Sequence, residues 1–126
     1  MISFDTFSPR DGIPIYLQII MHVKQGVASG IVQSGDELPS RRVLSTLLGV
    51  NPNTVQKAYK LLEDEGLILS HPGAGSTIII DEQRKQAIRA ELTAAEIKQT
   101  IRSLRSLGLD KAAALSLIDK NWEESE

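Results

Sequence analysis

The stretch PSRRVLSTLLGVNPNTVQKAYKLLEDEG, residues 39–66, decides the fold of this chain. Ser40 can cap a helix running from about Arg41 to Leu48, since its hydroxyl can accept a hydrogen bond from a free backbone N–H. Gly49 is expected to end this helix, because glycine enters the left-handed conformation without steric cost. Helical spacing predicts that its buried side carries Val43, Leu44, Leu47 and Leu48.

A second helix follows after a very short turn. Asn51 is a good N-cap residue and Pro52 suits a first helical turn, so the helix is predicted to begin there and to continue to about Glu65, before Gly66. Two helices joined by a turn of about three residues that contains glycine are typical of a helix-turn-helix.

The second of these helices has two chemically different faces. The polar face carries Asn53, Gln56, Lys57 and Lys60. The apolar face carries Val55, Ala58, Tyr59 and Leu62. Amide side chains donate and accept together, which lets them bond the major-groove edge of adenine in a bidentate way, and Thr54 adds a hydroxyl and a methyl group. A polar face can also be merely solvated, but solvation does not require amides. The face therefore predicts contact with DNA bases.

Charge is segregated along the chain, whose formal net charge is −2. Between Leu38 and Leu62 there are four positive residues and no aspartate or glutamate, a local charge of +4. The acids lie outside this segment, chiefly at residues 36–37 and 63–65. Phosphate contacts supply most sequence-independent affinity for DNA, and distant acids are screened over about 10 Å at 0.1 M salt. The acidic total is therefore compatible with selective DNA binding.

The rest of the chain predicts three further helices and a hairpin. A helix from Pro14 to Ser29 carries Tyr16, Ile19, Ile20, Val23 and Val27 on its apolar side. Residues 35–39 are read as a turn, and the β-prone runs LILS and STIIID, separated by HPGAG, predict a hairpin. Helical spacing resumes over residues 82–107 and 110–122. The fold class is thus mainly α with a small β-hairpin: a winged helix-turn-helix over residues 1–80 and a two-helix tail over residues 81–126.

Several functional classes have little support in the composition. The chain has no cysteine and only two histidines, which are too few for an ordinary metal site, so no metal or cofactor is predicted. No histidine is spaced with a serine and an acid, and the wing glycines lack the lysine of a phosphate loop, so we do not expect an enzyme. No apolar run approaches the roughly 18 residues that a membrane span needs, and we expect a cytoplasmic protein.

Three segments together resemble the winged helix-turn-helix of GntR-family bacterial transcription regulators. They are PIYLQI (residues 14–19), the run from GDELPSRR to EDEGLI (residues 35–68) and GAGST (residues 73–77), so the resemblance covers about residues 11–80. In that family the arginine of the PSxR segment, the start of the third helix and the wing tip contact operator DNA. The resemblance therefore implies a DNA-binding set of Ser40, Arg41, Arg42, Asn51, Asn53, Thr54, Gln56, Lys57, Gly73 and Gly75. Pro72 and Ala74 stand where family members often carry basic wing residues.

The short tail resembles that of the YtrA subfamily, whose small regulators form homodimers through these helices and are often associated with ABC-transporter operons. This resemblance implies a repressor that binds a pseudo-palindromic operator as a homodimer, with no effector named by the sequence. The apolar stripe of the tail could instead pack on its own winged domain. Arg42 could instead pair with Glu37, and the whole fold could serve as a protein-interaction module.

Overall fold

The computed structural model describes residues 1–72 and 75–124, which form five helices and a small sheet. The helices are α1 (Ile15–Ser29), α2 (Arg41–Leu48), α3 (Pro52–Asp64), α4 (Glu82–Ser106) and α5 (Lys111–Trp122). The strands are β1 (Glu37–Leu38), β2 (Ile68–His71) and β3 (Gly75–Ile78). Residues 1–90 and 91–126 form two compact units, and the division between them falls inside α4. The expected fold class is confirmed.

Side-chain caps set the beginnings of the two helices in the helix-turn-helix. The Ser40 hydroxyl accepts a hydrogen bond from the Val43 backbone N–H at 3.1 Å, and the Asn51 side chain accepts one from the Asn53 N–H at 2.8 Å. Between them, Gly49 has a φ of 67°, the left-handed conformation that ends α2. These contacts confirm the predicted bounds of α2 and the predicted start of α3.

The prediction for the buried side of α2 is partly wrong. Leu44 is fully buried, but Val43 and Leu47 are 53% and 61% exposed. Ser45, a polar residue, is buried on this side of α2, at 7% exposure. Its hydroxyl donates to the Val50 carbonyl at 2.6 Å and so closes the turn between α2 and α3. Helix α2 has about two turns and packs on α3 through one narrow side, so it can bury only the residues on that side. The spacing of its apolar residues does not show which of them lie there.

The predicted hairpin is present, and a third strand extends it. β2 and β3 pair antiparallel, with Ile68 opposite Ile78, and the order of the sheet is β1-β3-β2. β1 pairs with β3 through Leu38 and Ser76, where the sequence indicated only a turn. A strand of two residues is too short to show the alternating pattern that identifies strands.

The N-terminal residues are part of the winged domain. Ile2 and Phe4 are buried, and the Ile2 backbone N–H donates to the Glu37 carbonyl at 2.8 Å. The Phe4 ring stacks on the His22 ring of α1, with 4.6 Å between centroids. Segment 1–4 therefore adds two apolar side chains to the core, while Met1 and Ser3 remain exposed.

The core of the first unit lies between α1 and α3. It buries the apolar side chains on the facing sides of the two helices and includes Ile19, Val23, Val27, Val55, Ala58, Tyr59 and Leu62. The predicted burial of Tyr59 is confirmed, at 1% exposure. Because α3 is held by its whole apolar face, its opposite face points outward in a defined orientation.

The tail helices bury little within a single chain. α5 contains no buried residue, and α4 buries Ile88 in its first half. Large apolar side chains remain exposed on both, including Ile97, Ile101, Leu115, Leu117, Ile118 and Trp122. Among residues 1–72 and 75–124, no helix combines the length and the apolar character needed to cross a membrane.

Candidate nucleic-acid interface

Helix α3 presents its polar face to solvent as the spacing predicts. Its exposed members are Asn53, Gln56, Lys57 and Lys60, and Thr54 at the border is half-buried. A helix that is apolar on the buried side and carries amides and ammonium groups on the other can enter the major groove of B-DNA, which is about 12 Å wide.

The start of α2 lies beside this face and carries two arginines. Ser40, Arg41 and Arg42 are all exposed. Ion pairs in the described part of the chain join Lys24 to Glu65 and Lys60 to Asp64, so the Arg42 guanidinium is not held by Glu37. Arg41 lies over the Tyr59 ring, 5.8 Å from its centroid. These cations are therefore presented to solvent next to the amides of α3.

Tyr59 fixes the start of α2 relative to α3. Its hydroxyl donates to the Pro39 carbonyl at 2.7 Å from a buried position. Burial raises the pKa of the Tyr59 phenol, so the hydroxyl remains a proton donor over the physiological pH range. One buried hydrogen bond thus connects α3 to Pro39, the residue that precedes the cap of α2.

The wing, which is formed by β2 and β3, is connected to α3 through Ser70 of β2. The Ser70 backbone N–H donates to the Glu63 carboxylate at 3.1 Å, and hydrogen bonding from Ser70 lowers the pKa of that carboxyl. A cleft of about 420 Å³ lies between the start of α2 and the wing, with Arg41 on one side and His71 on the other. The wing is therefore held next to Ser40 and Arg41 at the start of α2.

The expected DNA-binding set contains two glycines of the wing tip, of which the structure describes Gly75. Gly75 is exposed at the start of β3, opposite His71, with a φ of 81° that a residue with a Cβ rarely adopts. Gly73 lies outside the described residues.

The two lysines of the α3 face differ in what they contact. The Lys60 ammonium lies 3.0 Å from the Asp64 carboxylate, and this hydrogen bond raises the pKa of Lys60. The Lys57 ammonium instead lies over the Tyr16 ring of α1, 4.0 Å from its centroid. Lys57 therefore contacts a neutral ring where Lys60 contacts a carboxylate. The pattern of α1 indicated Tyr16 only as an apolar position.

The end of α3 is connected to the beginning of the tail. The Arg84 guanidinium in the first turns of α4 donates to the Glu65 carbonyl, and the Glu65 carboxylate pairs with Lys24 of α1 at 3.0 Å. Neither contact has a sequence signal, since both depend on side chains far apart in the chain. Together they join α1, α3 and α4 at the C-terminal end of α3.

Comparison with known proteins agrees with this arrangement. Residues 15–78 match the family model described as "Bacterial regulatory proteins, gntR family". The HTH-type transcriptional repressor YtrA of Bacillus subtilis is 42% identical over 104 residues, which are 82% of this chain and 75% of that protein. The similarity to YtrA thus extends beyond the winged domain into the tail.

Comparison with solved structures also finds transcriptional regulators with this fold. A GntR-family transcriptional regulator from Listeria monocytogenes has a TM-score of 0.76 and 30% identity, over 89% of this chain and 98% of the other. The DNA-binding domain of AraR, solved in complex with operator ORE1, has a TM-score of 0.51 and 25% identity, over 58% of this chain and 94% of that one. The chain belongs to the GntR family of DNA-binding transcriptional regulators, which are not enzymes, and within it to the short-tailed YtrA group.

Proposed function

We propose that this regulator is a homodimeric repressor that inserts α3 into the major groove of a pseudo-palindromic operator. The observation that carries the proposal is the exposed face of α3, where amides and Lys57, a cation outside the two ion pairs of the described residues, lie opposite a fully buried apolar face. Amides in the groove discriminate between base pairs, whereas a face rich in lysine alone would bind all sequences similarly. The side chains assigned to bases are Asn53, Thr54 and Gln56.

The remaining residues of the set are assigned to the DNA backbone. Arg41, Arg42 and Lys57 supply positive charge, and the Ser40 hydroxyl lies beside them at the first turn of α2. Asn51 uses its side-chain oxygen to cap α3, so its amide N–H₂ group is left for phosphate. At the wing, Gly73 and Gly75 allow the backbone itself to approach the minor groove or phosphate.

The tail supports the assignment of a homodimer. α5 buries no side chain in the single chain, although it carries Leu115, Ile118 and Trp122. A second copy related by two-fold symmetry would cover these side chains with their own equivalents. Two recognition helices set about 34 Å apart would then read half-sites one helical turn apart, which accounts for the palindromic operator.

Repression and the regulated genes are assigned by similarity. The Bacillus subtilis relative is named a transcriptional repressor, and the YtrA subfamily that the sequence resembles is often associated with ABC-transporter operons. We therefore propose that the protein acts in the cytoplasm on an ABC-transporter operon, and that it binds upstream of its own gene.

The variant Arg42→Ala tests the proposal. We expect it to bind the DNA upstream of the protein's own gene about ten- to a hundredfold more weakly, because a charge-assisted hydrogen bond to phosphate is worth about 1.5–3 kcal/mol. The slope of the logarithm of the binding constant against the logarithm of salt concentration should become smaller by about 1, since one fewer counterion is released. Fluorescence anisotropy at several salt concentrations measures both quantities.

Arg89→Ala is the matched control, because Arg89 is an exposed arginine of α4 that does not belong to the proposed DNA-binding set. It should bind as the wild type does. If the wild type binds no sequence better than random DNA, the proposal fails and the winged domain acts as a protein-interaction module instead. Equal losses for the two variants would contradict the assignment of Arg42 to DNA.

A further inference from the structure

We infer that Tyr16 is a positioning residue for DNA binding, because its ring holds the Lys57 ammonium in place on the exposed face of α3. The inference rests on the proposed function, in which Lys57 meets phosphate. It adds a residue of α1, outside the helix-turn-helix, to the machinery that meets the DNA.

The geometry that carries the inference is a cation–π contact. The Lys57 ammonium lies 4.0 Å from the centroid of the Tyr16 ring, well inside the roughly 6 Å over which such contacts are attractive. Tyr16 is half-buried in the first turn of α1, so part of its side chain is packed against the protein. The packing of α1 against α3 brings together two residues that are forty-one positions apart in the chain.

The contact matters because lysine is flexible. An exposed lysine has four rotatable bonds, and immobilising such a side chain on binding costs about 0.5–1.5 kcal/mol. A ring that already restricts Lys57 in the free protein removes part of this loss. The ammonium has three N–H donors, so one face can lie against the ring while another donates to a phosphate oxygen.

Lys60 provides an internal comparison. It lies on the same face but is paired with Asp64 at 3.0 Å, one turn further along α3. A carboxylate that holds a lysine competes with phosphate for its charge, whereas an aromatic ring does not carry a net charge. Of these two lysines, Lys57 is therefore the one held in place without being neutralised.

The test is a double-mutant cycle on the full-length protein with operator DNA. Tyr16→Leu should weaken binding about two- to fivefold, and Tyr16→Phe, which keeps the ring, should bind as the wild type does. Lys57→Met should weaken binding and make the salt slope smaller by about 1. On the Lys57→Met background, Tyr16→Leu should then have no further effect.

Several results would overturn the inference. An equal effect of Tyr16→Leu on both backgrounds would mean that Tyr16 does not act through Lys57, and an equal loss for Tyr16→Phe would assign the effect to the hydroxyl. Tighter binding by Tyr16→Leu would mean that the ring withholds Lys57 from DNA. In all three cases a loss caused by Lys57→Met would leave the proposed function intact. A Lys57→Met protein that binds normally would overturn both the Lys57 contact and the role of Tyr16.

A spectroscopic measurement on the wild type keeps the test independent of how well the Tyr16→Leu variant folds. Protons beside an aromatic face are shifted upfield, so the ε-methylene protons of Lys57 should be upfield in the free protein and should remain so in the complex with operator DNA. Loss of this shift on binding DNA would show that Lys57 leaves the ring, contrary to the inference.

Discussion

Replacing Ile101 and Ile118 together with aspartate is expected to give a folded monomer that binds operator DNA at least about a hundredfold more weakly. The two side chains are 47% and 39% exposed in the single chain and belong to the apolar stripes of α4 and α5. In the proposed dimer they are covered, and four unpaired carboxylates would then have to leave water. A monomer would meet each half-site independently, without the high effective concentration that linkage of two winged domains provides.

Ser103→Asp combined with Ser116→Asp is the matched control. Both serines are exposed on the same two helices, about 200° around the helix axis from the isoleucines, so this variant adds the same charge on the other side. It should remain dimeric. Sedimentation equilibrium and operator titration measure the two effects, and a wild type that sediments as a monomer at operator-binding concentrations would contradict the dimer.

The variant Leu62→Ala is expected to lower the free energy of unfolding by about 2–5 kcal/mol. Leu62 is fully buried on the apolar side of α3, and truncation leaves a cavity that the neighbouring helices fill only in part. Since small domains are stable by about 5–15 kcal/mol, a large share of the total would be lost. The position also orients the recognition helix, so operator affinity should fall together with stability.

Leu61→Ala is the matched control for Leu62→Ala. It removes the same atoms from the adjacent residue, but Leu61 is 36% exposed. It should cost less than about 1 kcal/mol in urea denaturation, since a partly exposed side chain loses less burial. Equal destabilisation by the two variants would contradict the orientation of α3 described above.

The helix-turn-helix could be predicted from the sequence because its signals are local. Ser40 and Asn51 cap the helices that follow them, and Gly49 adopts the positive φ that a glycine at that position indicates. The apolar face of α3 follows from spacing alone, and the burial of Tyr59 is confirmed.

The features that escaped prediction depend on contacts between distant segments. β1 exists only because Leu38 finds a partner in β3, and two residues carry no period of their own. The spacing of α2 predicts that four apolar residues are buried, but it does not show how small an area α3 covers. Val43 and Leu47 lie outside that area and are exposed to solvent. Tyr16 could not be assigned to Lys57 without the packing of α1 on α3.

The central claim is that amides on the exposed face of α3 read the base sequence. It is tested most directly by selecting binding sites from random double-stranded DNA with the wild type and with Asn53→Ala in parallel. The wild type should recover an inverted repeat with half-sites about one helical turn apart, and Asn53→Ala should lose its preference at one base pair in each half-site, worth about 1–3 kcal/mol. Recovery of the same motif at the same strength by both proteins, or of no motif by the wild type, would contradict the claim.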